Sequence, residues 1–244
     1  APTASAYRNF FEMFYAPIFY RDKGYPIDAD DLNGEPFTRD HYLHAYRTTN
    51  DLTLVCPTCD GSMDGAELDH WLAKRHLPEL NCHPENLVEI CSACNSSANK
   101  GQKLALDESA PEPFDDWFHP HLRSAAGAYE ISVERGRPRL VSSLPEAQTR
   151  LDTFGNLVNL SSRWKNEYRA QFKVIAQRIR HRRRLGRTFD EPALLSQLES
   201  WKTNAEAGQG LRPHQLLETA LLSVALDPSS SAFSEFLDYA TAPT

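Results

Sequence analysis

The chain contains no apolar run approaching the length of a membrane span, which excludes a membrane-spanning helix. Its start, Ala1-Pro2-Thr3-Ala4-Ser5-Ala6, lacks the basic and apolar stretches of a secretory leader, so a cytoplasmic location is expected. Positive charge is in deficit: 26 Lys and Arg stand against 33 Asp and Glu, a net charge of −7. That balance argues against a protein that coats nucleic acid by bulk attraction, and leaves room only for a local basic groove. Cysteine is scarce and odd in number, at five. Four of the five fall in two closely spaced pairs in a chain without an export signal, which reads as metal binding in a reducing compartment and not as a disulfide framework. Cys82 is left over and is expected to be a small buried residue. At 244 residues the chain can bury a full core, or carry a small motif inside a larger shell.

Hydrophobic periodicity organises the rest. Tyr7, Phe10, Phe11 and Phe14 recur at helical spacing, predicting a short helix that packs its aromatics inward and stops near Pro17. A turn-rich stretch leads to a second helix from Thr38, on which His41 and His44 read as surface residues. Leu52–Val55 and Ala66–Leu72 read as strands, Asn86–Ile90 as the approach to the second cysteine pair, and the segment from Cys94 to about Leu106 as helix. Tyr129–Glu134 alternates as a strand does; a turn at Gly136–Pro138 and a return over Arg139–Val141 predict a hairpin. Beyond Pro145 the pattern is helical, with helices over Trp164–Arg184, Pro192–Ala205, His214–Leu226 and Ala232–Tyr239.

Between these elements lies the densest chemistry. Cys56-Pro57-Thr58-Cys59 and Cys91-Ser92-Ala93-Cys94 share one internal spacing and can close a tetrahedral four-cysteine zinc site. Two unrelated redox or buried pairs are the alternative. A closed four-thiolate site has no open position for water, so its role is to staple a loop-rich element and not to hydrolyse. The 31 residues between the pairs are enough to fold, and they carry Asp69-His70 and Asn86, with Asn95 directly after the second pair. Phosphodiester cleavage needs an attacking water, a charge clamp and support for the leaving oxygen. Asp69 and Asn95 offer the hard oxygens that Mg²⁺ or Mn²⁺ prefers, and His70 has the intrinsic pKa to accept a proton near neutrality. Adjacent strand residues point to opposite faces, so Asp69 and His70 can serve one phosphate only if the backbone bends or the ligand reaches around the strand. Taken alone, Asp-His reads as an ordinary buried strand pair, because the dipeptide is common.

In this frame the residues resemble the HNH endonucleases, the zinc-stapled branch of the His-metal finger (ββα-metal) nucleases. The resemblance is carried by Asp69-His70, Asn86 and Asn95 in order inside the cysteine frame, over residues 54 to 104. It implies that His70 is the general base, that Asp69 and Asn95 hold the catalytic ion, and that Asn86 braces the loop and the histidine. The chain departs from the family just after Asn95, where Ser96-Ser97-Ala98 precede Asn99-Lys100-Gly101. Asn99 is therefore an alternative ligand, and Lys100 a candidate phosphate contact. His76 and His83 read as loop histidines. The segment Asp69 to Leu80, Phe118-His119-Pro120 and Arg163-Trp164 resemble a subset that includes bacterial stand-alone nucleases and the nuclease subunits of Septu-type antiphage systems. That likeness implies a defence or restriction effector, acting alone or beside an ATPase or sensor protein.

Nucleic-acid contacts have further candidates. Lys74 and Arg75 follow the Asp-His. Between Glu167 and Asp190 there is no acidic residue and eight are Lys or Arg. On a helix Arg169, Lys173, Arg180, Arg184 and Arg187 form one stripe and Tyr168, Phe172, Ile175 and Ile179 another, so the second can pack while the first faces a phosphate backbone, solvent or an acidic partner. The expectation is an α+β protein: a ββα-metal core at 51–106 with a four-cysteine zinc knuckle, a helical segment at 1–50, and a hairpin with helices at 107–244. The function expected is Mg²⁺- or Mn²⁺-dependent DNA endonuclease. The rival readings are a zinc-stapled binding module without catalysis, and a nuclease subunit silent until a partner arranges it.

Overall fold

The computed structural model describes residues 4–21, 24–25, 34–49, 54–104, 118–119 and 129–242. It is a mixed α+β structure of helices and two small hairpins. Helix α1 spans Ala4–Met13 and continues as a wider π-helical turn over Phe14–Tyr20. The chain does not stop at Pro17. A proline has no N–H to give, and the looser spacing accommodates its loss. The change of pitch also decides which aromatics are buried. Tyr15 and Phe19 enter the core, while Tyr7, Phe10 and Phe14 stay exposed, contrary to the inward packing expected for them.

Helix α2 (Arg39–Thr49) follows. Strands β1 (Glu67–His70) and β2 (Leu87–Ile90) pair antiparallel, with Asp69 opposite Val88 and His70 opposite Leu87. Of the expected strand at 52–55, residues 52 and 53 lie outside the described residues, and Val55 makes a single bridge to Ser62. Helix α3 is one turn, Ser92–Asn95. The helix expected to run on from Cys94 is not formed: Ser96 is extended and turns follow to residue 102. Side chains explain the break. Ser96 Oγ and Asn99 Nδ2 both donate to the Ala93 carbonyl, an alternative to continuing the helical ladder. Leu106 lies outside the described residues, as does most of 107–128.

Strands β3 (Tyr129–Glu134) and β4 (Arg137–Ser142) form the second hairpin. Its turn is Arg135-Gly136, both at positive φ, one position earlier than expected. Two left-handed residues match the strand twist, and Pro138 is tolerated because a two-stranded ribbon is all edge. Helices α4 (Pro145–Leu157), α5 (Leu160–Arg184), α6 (Glu191–Ala207), α7 (Gln215–Ala225) and α8 (Ser231–Thr241) complete the chain. Their ends are written in the sequence. Asp190 caps α6 through the Ala193 N–H, and Ser230 caps α8 through the Phe233 N–H. Gly186, at φ +82, closes α5 while the Arg187 N–H reaches back to the Arg182 carbonyl, so Arg187 falls beyond the helix.

The hydrophobic interior has three parts. The first surrounds the four cysteines with Trp71, Val88, Ile90, Phe154 and Trp164. The second lies among α5 to α8, where Tyr168, Ile175 and Ile179 meet Leu194, Leu221 and Phe236, as the apolar stripe of α5 predicts. The third joins Tyr15, Phe19 and Leu43 to Leu68 and Leu87. The first hairpin therefore has two covered faces. Leu68 and Leu87 face the N-terminal helices, and Val88 and Ile90 face the cysteines. No helix of the described residues is long and apolar enough to cross a membrane.

Candidate functional site

The four cysteines come together as their spacing requires. Their Sγ atoms all lie within 4.8 Å of one another and are buried. Cys56 and Cys94 Sγ are 3.7 Å apart, Cys59 and Cys91 Sγ 3.9 Å. A tetrahedron with Zn–S of about 2.3 Å has edges of about 3.8 Å, whereas a disulfide needs about 2.05 Å. The cluster can hold a zinc ion, and its sulfurs are spaced for one. Mutual hydrogen bonding lowers the Cys56 thiol to about 6, chiefly through Cys59, and raises Cys59, chiefly through Cys56. A bound divalent ion would take all four as thiolates. Thr58 Oγ1 donates to Cys94 Sγ at 2.9 Å.

Asp69 and His70 close β1 and diverge. His70 faces the N-terminal helices, where its ring meets Tyr15 edge to face at 4.4 Å between centroids. Its Nε2 lies 3.0 Å from the Asn81 carbonyl oxygen. A carbonyl only accepts, so Nε2 carries the proton and Nδ1 keeps its lone pair. Burial, then the nearby Lys74 ammonium, pulls the imidazole pKa down to about 4, so it is neutral at physiological pH. Asp69 faces the other way. Its Oδ2 lies 2.7 Å from Lys100 Nζ, and the same ammonium donates to the His70 carbonyl at 2.6 Å. Burial raises the Asp69 carboxyl to about 6 even against the pull of Lys100, and burial likewise lowers the Lys100 ammonium.

Lys100 was expected to meet phosphate. It is fully buried instead, as the counter-ion of Asp69 and a strut between the turn after α3 and the end of β1. Removing the charge by Lys100→Met is expected to cost about 3–5 kcal/mol, because it strands a buried carboxylate. The double variant Asp69→Leu/Lys100→Met should recover much of that loss. Denaturant titration reads both, and a single-variant loss under about 1 kcal/mol would contradict the pairing.

Asn86 acts on the loop. Its Oδ1 accepts from the Leu72 N–H at 2.7 Å, and its Nδ2 donates to the Leu72 and Leu80 carbonyls at 3.1 Å each. These bonds fix the backbone on both sides of the loop that supplies the Asn81 carbonyl to His70, and not the imidazole itself. Asn95 Nδ2 donates to Glu67 Oε2 at 2.5 Å. Asn99 is buried and spends its amide on Ala93 and Ser96, closing a turn. Of the two asparagines, Asn95 is the one that faces β1. Glu67 was missed from sequence, although it lies two residues before Asp69 and so on the same strand face. Glu67 and Asp69 thus share one face of β1, with Asn95 bonded to Glu67 and Lys100 paired with Asp69.

Lys74 is paired with Glu12 at 3.0 Å and stands 4.9 Å over the Tyr15 ring, while Arg75, His76 and His83 are exposed. Arg169, Lys173, Arg180, Arg184 and Arg187 are all exposed, the first four as one stripe on α5, with Arg180 4.3 Å over the Tyr239 ring. Cys82 is half-buried and accepts from the Tyr25 hydroxyl at 2.8 Å.

The two titrating residues pull stability in opposite directions with pH. His70 has a folded pKa below its unfolded value, so its contribution is full above about pH 6.5 and lost as pH falls toward about 4. Asp69 has a raised folded pKa, so its contribution is full below about pH 3.8 and lost as pH rises through about 6. Replacing His70 with Asn should therefore stabilise the protein relative to wild type by about 2 kcal/mol more at pH 5 than at pH 7.5. Denaturant curves at the two pH values test this, and parallel losses in both proteins would contradict it.

No family model and no solved structure matches the chain. Among curated proteins it is similar to "Protein ea31" of Escherichia phage lambda, 34% identical over 90 residues. The match covers 32% of this chain and 30% of that protein, so the chain spans about a third of the relative's length.

Proposed function

We propose that the chain is an endonuclease of the HNH type, hydrolysing phosphodiester bonds of DNA with His70 as general base. The observation that carries this reading is the state of His70: a neutral imidazole at the end of a two-stranded hairpin, its Nε2 proton committed to a backbone carbonyl and its Nδ1 lone pair free of that bond. That is the form a general base needs. Asp69 and Asn95, with Glu67 beside them, would hold a divalent ion. Mg²⁺ or Mn²⁺ there would neutralise the phosphate and support the leaving oxygen. Because Asp69 and His70 lie on opposite faces of β1, the substrate would wrap the strand end to meet both. Asn86 holds the loop that orients His70, a positioning role. Arg75 and the α5 stripe would track the phosphate backbone, which makes binding salt-sensitive. The four-cysteine site would hold zinc and do no chemistry.

One observation favours a nuclease that waits for a partner: His70 is only 7% exposed, beneath Tyr15. An ATPase or sensor protein of a defence or restriction system that shifted the N-terminal helices would open the site. Plasmid cleavage in Mg²⁺ or Mn²⁺, arrested by EDTA and lost in His70→Ala, tests the proposal. Cleavage that begins only when a partner is added identifies the waiting form. A zinc-loaded protein that binds DNA yet cuts under neither condition would leave only a binding module.

A further inference from the structure

The cysteine cluster has a fifth neighbour from a distant part of the chain. Arg163, in the first turn of α5, places Nη1 2.9 Å from Cys94 Sγ and Nη2 3.3 Å from Cys59 Sγ. One planar fork thus spans one sulfur from each cysteine pair. Next to it, Trp164 is buried and donates its indole N–H to the Cys59 carbonyl at 2.9 Å. Among the described residues Arg163 forms no ion pair with a carboxylate. A half-buried guanidinium needs a counter-charge, and neutral thiols would supply none. Four thiolates around one Zn²⁺ carry a net charge of two minus, which the guanidinium halves. Arg is suited to this because its donors are held in a rigid fork that Lys lacks.

We propose that Arg163 is an outer clamp of the zinc site, a positioning residue through which bound zinc fastens the first turn of α5 to the cysteine knuckle. The helix it fastens is the one whose exposed stripe holds Arg169, Lys173, Arg180 and Arg184. Zinc occupancy is thereby communicated to the placement of the basic helix. Partners outside a metal's ligand set commonly change its affinity by about 10–100-fold when removed. The proposal rests on the cluster holding zinc and is independent of any cleavage activity.

The test uses the zinc-loaded full chain. Zinc transfer to a chromophoric chelator is followed for wild type, Arg163→Lys and Arg163→Met, with zinc per chain measured first. Release about 10–100-fold faster in Arg163→Met, and partly restored in Arg163→Lys, is the expected result. In parallel, amide hydrogen exchange of wild type is compared before and after chelation. Protection over residues 160–166 should fall by about tenfold or more while α8 stays protected. If Arg163→Met does not fold, Arg163→Lys and the exchange experiment still decide. Release within about twofold of wild type in the folded variants, or unchanged exchange at the start of α5, overturns the clamp. A wild-type chain that takes up no zinc overturns it as well, and that outcome is told apart because it condemns the zinc site first.

Discussion

Removing zinc, by chelation or by Cys91→Ser, is expected to melt residues 55–104 while the helices α6 to α8 persist. The two-stranded β1–β2 ladder has only four residues a side, and an isolated hairpin of that size is at best marginal in water. What surrounds it is a core that includes the cysteines themselves, with Trp71, Val88 and Ile90 packed on them. Structural zinc in small sites contributes about 10–16 kcal/mol, comparable to the whole stability of a domain. The interior between α5 and α8 contains none of the cysteines and should retain its helical signal. Trp71 and Trp164 both sit in the cysteine core, so near-ultraviolet circular dichroism reports its loss, and far-ultraviolet dichroism the helices that remain. An unchanged tryptophan signal and melting temperature after complete metal removal would contradict the staple.

Replacing His70 by Ala is expected to slow cleavage by about 10²–10⁴-fold, the usual contribution of a positioned general base. Zinc content should not change, since the imidazole faces Tyr15 and the N-terminal core while the cysteines lie on the other side of the hairpin. Binding of DNA should also survive, because the exposed basic groups of α5 are untouched. A parallel loss of binding and cleavage would point to a folding defect; a loss of cleavage alone, at full zinc, isolates the chemistry. His70→Asn serves as a second variant if the cavity left by Ala weakens the N-terminal core.

Local signals in the sequence carried the elements and the cysteine cluster. Metal-ligand spacing is a property of a few consecutive residues, and so Cys56, Cys59, Cys91 and Cys94 could be grouped without a structure. The same holds for α5, where a 3.6-residue period separates Ile175 and Ile179 from Arg169 and Lys173. The misses have three physical causes: a partner distant in sequence, a side chain competing with the backbone, and a change of helical pitch. Nothing near Asp69 reveals that its counter-ion is Lys100, 31 positions on. Nothing near Cys94 reveals Arg163, 69 positions on. The helix after Cys94 ends early because Ser96 and Asn99 bond to the Ala93 carbonyl, which propensity alone does not foresee. Helical spacing alone turns the aromatics of α1 inward and ends the helix near Pro17, whereas the chain runs on as a π-helical turn that brings Tyr15 and Phe19 to the core instead. Within the site, the divergence of Asp69 and His70 was legible from strand alternation, and the structure places them on the two faces accordingly.

His70, and not the zinc cluster, is proposed to perform the chemistry. The most direct test is single-turnover cleavage of DNA by wild type and His70→Ala at equal zinc content, in Mn²⁺ and with the activating partner present if one is needed. Wild type is expected to cut, EDTA to stop it, and His70→Ala to be slower by at least about a hundredfold. Equal rates in the two proteins would contradict it.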